Sequence, residues 1–282
     1  MQVVRANADP VNGLLDDLRT YPGLLVAFSA GVDSAFLLAA SLRALGPERV
    51  LAVTAVSDSL PAAELDYARR FTAEVGAQHL EASTNELDRD GYRQNGTDRC
   101  YFCKAELMDV VSGHLDRLAP GARVATGTNA DDLVAGFRPG IRAAAQRRAV
   151  TPLADAGLTK EQIRAQAQAW GLTVWDKPQA ACLSSRIAYG IQISPARLAR
   201  VEQAEIAVRR SLSRHGIQTA NVRVRDLGDA ARIEVDRSVA QLSGPWRDDV
   251  VDSVRAVGFA QAHIDPRGFR SGSMNEARPS GA

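Results

Sequence analysis

The sequence predicts an α/β protein: a doubly wound, Rossmann-like parallel sheet with a smaller α+β domain at its C-terminal end. Three observations carry that prediction. Over the first ~175 residues, short apolar runs alternate with amphipathic stretches of helical length, the pattern of repeated βαβ units. The first apolar run, "LLVAF" (24–28), stops in the small polar turn Ser29-Ala30-Gly31-Val32-Asp33-Ser34 and resumes as an apolar helix. After about residue 190 the order changes to helix, strand, strand, helix, strand.

The elements follow in order. Strands are expected at 24–28, 50–56 ("VLAVTAV"), 77–82 and 122–126 ("ARVAT"), with helices at 33–45, 61–75 and 103–118. The first two runs are apolar without alternation, as strands buried on both faces of a parallel sheet are. Thr159 with Gln162 reads as a capping box, and Gly171 closes that helix. Ser194-Pro195 reads as an N-cap followed by proline at the first helical position, opening a charged helix to about Ser213. "NVRVRDL", "ARIEVD", a helix near 246–256 and "FAQAHID" complete the second domain. The domains are therefore expected at 1–190 and 191–266. The segment from Arg267, "RGFRSGSMNEARPSGA", has the polar, Gly/Ser-rich composition of a disordered tail.

Composition narrows the function classes. The chain has 282 residues, 45% hydrophobic and 24% charged, with a net charge of +1. That balance gives no basic excess to hold a nucleic acid. No run of ~18 apolar residues offers a membrane span. The N-terminal "MQVVRANADPVNGLL" lacks the basic-then-apolar pattern of a signal peptide, so a cytoplasmic location is expected. Three cysteines, an odd number, argue against a disulfide framework.

A strand that ends in this Ser-x-Gly-x-Asp-Ser turn and enters a helix makes an anion cradle. Amide N–H groups of the turn and the first helical turn converge, and the helix dipole adds positive charge. Ser29 and Ser34 offer hydroxyl donors, and Asp33 suits a Mg²⁺ ion placed between itself and phosphates. The Walker pattern and GxGxxG are both absent. The alternative is an ordinary βα turn with a Ser/Asp helix cap. The turn resembles the PP-loop of the N-type ATP pyrophosphatases, whose pattern is Ser-Gly-Gly-x-Asp-Ser. Those enzymes cut ATP between its α and β phosphates, adenylylate a substrate and release pyrophosphate. Here Ala30 stands at a glycine position; its methyl group is harmless at negative φ and costly at positive φ.

All three cysteines lie in two segments, "NGTDRCYFCKAEL" (95–107) and "WDKPQAACLSSRIAYG" (175–190). Cys100 and Cys103 stand at the head of a predicted helix, near Arg99 and Lys104, where thiolate pKa values fall. Such a pair is a redox couple, half a zinc site, or two apolar side chains. The histidines (His79, His114, His215, His263) show no ligand spacing for zinc. Three cysteines with one open iron position fit a [4Fe–4S] cluster.

With these segments the resemblance becomes specific. "AFSAGVDSAFLL", "RCYFCKAEL", "GTNADDL", "FRPGIRAA", "PLADAGLTKEQIR" and "WDKPQAACLSSRIAYG" occur in the order found in the LarE family of ATP-dependent sulfur transferases, over roughly 15–265. The resemblance implies synthesis of the nickel-pincer nucleotide cofactor of lactate racemase. ATP and Mg²⁺ activate pyridinium-3,5-biscarboxylic acid mononucleotide, and a carboxylate becomes a thiocarboxylate. Some members sacrifice the cysteine matching Cys182; others hold a [4Fe–4S] cluster on cysteines matching Cys100, Cys103 and Cys182, whose extra sulfide is the sulfur transferred. This chain has all three, which favours the cluster route. Catalytic roles then fall to Cys182, Asp33, Ser29 and Arg186. ATP would meet Ser29, Ala30, Gly31, Val32, Asp33 and Ser34, with Thr54 and Gly127. Asp33 and Asp132 would hold magnesium. In the family an Arg-x-Arg binds the substrate phosphate and a glutamate on the preceding helix matters; Arg223, Arg225 and Glu205 match them.

Blander readings accompany several of these residues. Asp131 and Asp132 in "GTNADDL" also suit an Asx-rich helix cap. Arg186 also suits a surface salt bridge, and the Arg223/Arg225 side of the strand, unaided, reads as a solvated face. Family analogy suggests a homo-oligomer, a sulfide source and a racemase maturation pathway as partners, with no nucleic acid and no membrane. The rivals are another PP-loop enzyme, such as a tRNA thiolase or an ammonia-dependent synthetase, and a non-catalytic nucleotide- or zinc-binding protein.

Overall fold

The computed structural model describes residues 9–136, 138–178, 180–270 and 272–274. The chain divides into two compact units. The first takes the chain up to Glu86 together with Cys100–Ala180; the second takes Leu87–Arg99 and everything from Ala181. The sequence expectation divides the chain after 190 and again after 266, with Leu87–Arg99 inside the first domain.

The first unit is built on a four-stranded sheet of β1 (Leu24–Ala27), β2 (Val50–Val56), β3 (Gln78–Ser83) and β4 (Arg123–Thr126). The strand order is β3-β2-β1-β4 and every pairing is parallel. Alternate residues of the central strands enter opposite cores. Leu24, Val26, Val50 and Ala52 pack with the helices Pro10–Arg19 and Val32–Leu45, while Leu25, Ala27, Leu51 and Val53 pack with Met108 and Val111. Burial on both faces explains why these strands are apolar throughout. Helix Val32–Leu45 is itself apolar on nearly all sides because it lies inside the first of these cores. The order of strands reverses between β1 and β4, and in open α/β sheets ligands bind beyond the carboxyl ends of the strands at such a switch.

Local signals hold closely. Thr159 caps helix Lys160–Ala169 with a reciprocal box: Thr159 N–H donates to Gln162 Oε1 (2.9 Å), and Gln162 N–H donates to Thr159 Oγ1 (3.3 Å). Gly171 follows that helix at φ +70°. The helix expected over 103–118 runs instead over Arg99–Ser112, and a separate 3-10 turn covers Leu115–Arg117. It stops at Gly113, a residue of poor helix propensity.

The second unit packs helix Pro195–Arg214, N-capped by Ser194, and helix Trp246–Arg255 on a mixed sheet. Its strands are β5 (Val222–Asp226), β6 (Ala230–Val235) and β7 (Gln261–Ile264), with β5–β6 antiparallel and β6–β7 parallel. Asn95 ties Leu87–Arg99 into this unit. Its amide donates to the carbonyls of Ile187 (3.3 Å), Ala188 (2.8 Å) and Ile191 (2.9 Å). Packed chain continues past Arg267, where composition suggested a disordered tail. Phe269 N–H donates to Val235 O (2.7 Å), and the buried Ser273 donates to Glu234 (2.8 Å). Ser271 and the remainder of that segment lie outside the described residues.

Strand β3 places a half-buried His79 against β2, with Nε2 2.9 Å from Thr54 Oγ1. Burial holds the His79 pKa below its ordinary 6.5. The unfolded chain therefore takes up this proton first as pH falls. The stability that depends on neutral His79 is complete above pH 6.5 and is lost progressively below it. Urea midpoints at pH 7.5 and 5.5 should fall further in the native protein than in a His79→Gln variant.

Candidate functional site

The turn after β1 is held by its own hydroxyls. Ser34 Oγ donates to Gly31 O (3.1 Å) and accepts from Ser29 N–H (3.2 Å); the Ser29 and Ser34 hydroxyls lie 3.1 Å apart. A hydroxyl has one proton to give. Ser34, buried, therefore acts here as a staple of the loop: with its proton on Gly31 O it accepts from the Ser29 hydroxyl, and Ser29 is the exposed member of the pair. Gly31 is the N-cap of helix Val32–Leu45 and has no side chain to cap it, so the head of that helix keeps its amide donors for a ligand.

Ala30 occupies the left-handed region at φ +56° and is 1% exposed. The substitution at the glycine position is thus the costly case, about 1–2 kcal/mol for a residue with a β-carbon.

Two lysines reach this loop from far along the chain. Lys160 Nζ pairs with Asp33 Oδ2, and Lys177 Nζ donates to Ala30 O (2.9 Å) and pairs with Glu64 (2.7 Å). The other Asp33 oxygen, Oδ1, is buried with no hydrogen-bond partner among the described residues. An orphaned carboxylate oxygen beside an uncapped helix head is a fitting ligand for a hard divalent cation such as Mg²⁺.

Gly127 leaves β4 against the same helix. A β-carbon there would lie 2.7 Å from Ser34 N and 2.9 Å from Ser34 Cα, so backbone meets backbone only because the residue is glycine. Asp132 is spent on a cap. It accepts from Asn129 N–H (3.3 Å), Asn129 accepts from Asp132 N–H (3.0 Å), and Arg138 lies 3.4 Å from its carboxylate. Asp131 accepts from Lys160 N–H (2.8 Å). The capping alternative is thus what these aspartates do here. Thr54 is buried, and its hydroxyl donates to Phe28 O (3.0 Å).

Cys100, exposed, and Cys103, half-buried, stand in the first turns of helix Arg99–Ser112. Burial pushes the Lys104 ammonium pKa down, against the opposing charge of Cys103. Cys182 is a half-buried thiol of the second unit. The donor set suits iron and sulfide, but among the described residues no group of three or more His, Cys, Asp and Glu side chains is assembled to hold a metal ion.

In the second unit, Cys182 precedes a 3-10 turn, Leu183–Arg186. Arg186 is 3% exposed, donates to Cys182 O (2.9 Å) and pairs with Glu205 (2.9 Å). Glu205 also accepts from Val224 N–H (3.2 Å). Arg223 and Arg225 are 8% and 5% exposed, which corrects the solvated-face reading. β5 is buried on both sides, and on it Arg225 pairs with the fully buried Glu234 (2.8 Å). Burial, reinforced by the neighbouring charge of Arg186, pulls the Arg223 pKa down to about 10. Such a guanidinium gains from a further anion.

No family model matches the chain. It is 37% identical over 268 residues to an uncharacterized protein of Synechocystis sp., covering 93% of this chain and 96% of that protein. It is 32% identical over 267 residues to the pyridinium-3,5-bisthiocarboxylic acid mononucleotide synthase of Lactiplantibacillus plantarum, covering 93% of this chain and 92% of the synthase. The chain belongs to the LarE family.

The LarE-like motifs fall on the positions just described. "AFSAGVDSAFLL" forms β1, the loop and the helix head, and "GTNADDL" leaves β4. "PLADAGLTKEQIR" supplies Lys160, while "WDKPQAACLSSRIAYG" supplies Lys177, Cys182 and Arg186. Sequence reading missed both lysines, taking from the first of these motifs only its capping box.

Two stability measurements test this geometry. Ala30→Gly should raise stability by about 1 kcal/mol, since glycine holds positive φ without a steric penalty. Gly127→Ala should lower it by about 1–3 kcal/mol, as a rigid backbone cannot clear the added methyl. Both are read from denaturant midpoints at unchanged slope.

Proposed function

We propose that this LarE-family chain is an ATP-dependent sulfur transferase acting on pyridinium-3,5-biscarboxylic acid mononucleotide. The observation that carries this reading is the Ser29–Ser34 loop with the orphaned Asp33 Oδ1 at an uncapped helix head. A substrate carboxylate is a poor electrophile. Its oxygen attacks the α-phosphorus of ATP, the α–β bridge breaks, pyrophosphate leaves, and the resulting acyl adenylate carries AMP as a good leaving group. Sulfide-level sulfur then attacks the acyl carbon, AMP leaves with the electrons of the broken acyl–oxygen bond, the bond between the sulfur and its carrier breaks, and a thiocarboxylate remains.

The chain's residues divide this work. Ser29 and the amides of Gly31, Val32 and Asp33 receive phosphate oxygens. Asp33 would hold Mg²⁺, which supplies charge neutralisation between the phosphates. Lys160 balances Asp33 until that cation arrives. Asp132 stays a cap, Thr54 and Ser34 hold loop backbone, and Gly127 makes room for the helix head. Arg223, with Arg186 and Arg225 around it and Glu205 orienting Arg186, takes the phosphate of the pyridinium mononucleotide. Cys100, Cys103 and Cys182 would hold a [4Fe–4S] cluster, which supplies the soft sulfur nucleophile. In this reading the thiocarboxylate product belongs to nickel-pincer nucleotide synthesis for a lactate racemase.

Pyrophosphate release from ATP and Mg²⁺, dependent on the pyridinium mononucleotide, is the direct assay. Asp33→Asn should lower it by about a hundredfold or more. Release without that substrate dependence, or none, refutes the reading. Anaerobic reconstitution with iron and sulfide should give about four irons per chain, lost in Cys100→Ala and in Cys182→Ala. If instead no iron binds and Cys182 loses the mass of H₂S after one turnover, Cys182 is a sacrificial donor.

A further inference from the structure

We propose that Lys177 is a positioning residue for nucleotide binding, acting through the carbonyl of Ala30. The inference rests on the reading of the Ser29–Ser34 loop as the ATP site. Ala30 is held at φ +56°, a conformation an alanine leaves readily unless something retains it. Lys177 retains it. Its ammonium donates to Ala30 O (2.9 Å) and to Glu64 Oε2 (2.7 Å), and lies 3.7 Å over the ring of Tyr67. An ammonium has three N–H donors and here meets two oxygen acceptors and a ring face, and the side chain is 13% exposed.

The consequence follows from peptide geometry. In a trans peptide the N–H points opposite to the C=O. With the Ala30 carbonyl turned to Lys177, the Gly31 amide turns away from Lys177 and remains a donor for an anion. Were this peptide to flip, the loop would present a carbonyl oxygen to the phosphates in place of an amide. Lys177 therefore contributes through geometry, with its charge already balanced by Glu64. Neither its place in "WDKPQ" nor the loop pattern implies this, since 147 positions separate Lys177 from Ala30.

The test is a double-mutant cycle read by calorimetric binding of α,β-methylene ATP with Mg²⁺. Native protein should bind; absence of binding overturns the ATP-site reading and this inference with it. Lys177→Met should weaken binding about tenfold, the worth of one charge-assisted hydrogen bond. Lys177→Gln, which keeps an N–H donor, should lose less. Adding Ala30→Gly to Lys177→Met should recover at least half of the loss, because glycine holds positive φ unaided. Native binding with an unchanged affinity in Lys177→Met, or a loss that Ala30→Gly does not relieve, overturns the positioning role alone. Should Lys177→Met show no thermal unfolding transition, the same cycle run with Lys177→Gln decides in the same way.

Discussion

Everything around the candidate site depends on one close approach, that of the Gly127 backbone to the head of helix Val32–Leu45. Because β4 lies directly beside β1, the chain leaving β4 must cross the loop leaving β1. It does so backbone against backbone, with no room for even a methyl group. A series of contacts starts there. Asn129 and Asp132 cap the helix that follows Gly127, Asp131 receives the first amide of helix Lys160–Ala169, and Lys160 at that helix head returns to Asp33. A displacement at Gly127 would travel through each of these to the Asp33 carboxylate.

The second unit solves a different problem, the burial of charge. Arg186, Arg225, Arg197 and Arg200 each meet a carboxylate: Glu205, Glu234 and, for the last two, Asp226. Glu234 and Asp226 have no exposed surface at all. Leaving either partner of such a pair alone would cost several kcal/mol, so these residues fix one another's positions. Arg223 sits in the same cluster with like-charged neighbours, which makes it responsive to an incoming anion.

The fold was largely legible in the residues because the signals were local. Apolar runs without alternation mark the central strands, and the Thr159 box and the Ser194-Pro195 step mark helix starts to the residue. The turn from β1 into helix Val32–Leu45 was legible for the same reason. What escaped was long-range. Nothing in "YRQNGTDR" says that Asn95 will bridge three carbonyls some ninety positions away and carry Leu87–Arg99 into the second unit. The alternation of "VRVRD" looked like a solvated face because sequence shows a charge but not the carboxylate waiting across the sheet. Aspartates in "NADD" carry the same letters whether they cap a helix or hold an ion.

The distance between the loop and its lysines also bears on how the protein is made. Asp33 waits 127 positions for Lys160, and Ala30 waits 147 for Lys177. At ribosomal speeds that interval is on the order of ten seconds. Throughout it the emerging N-terminal strand and helix carry a loop whose strained residue lacks its hydrogen bond from Lys177. If the loop is the nucleotide site proposed above, a nascent chain offers nucleotides no finished cradle. The loop takes its final form only when the segment that closes the first unit has been synthesised.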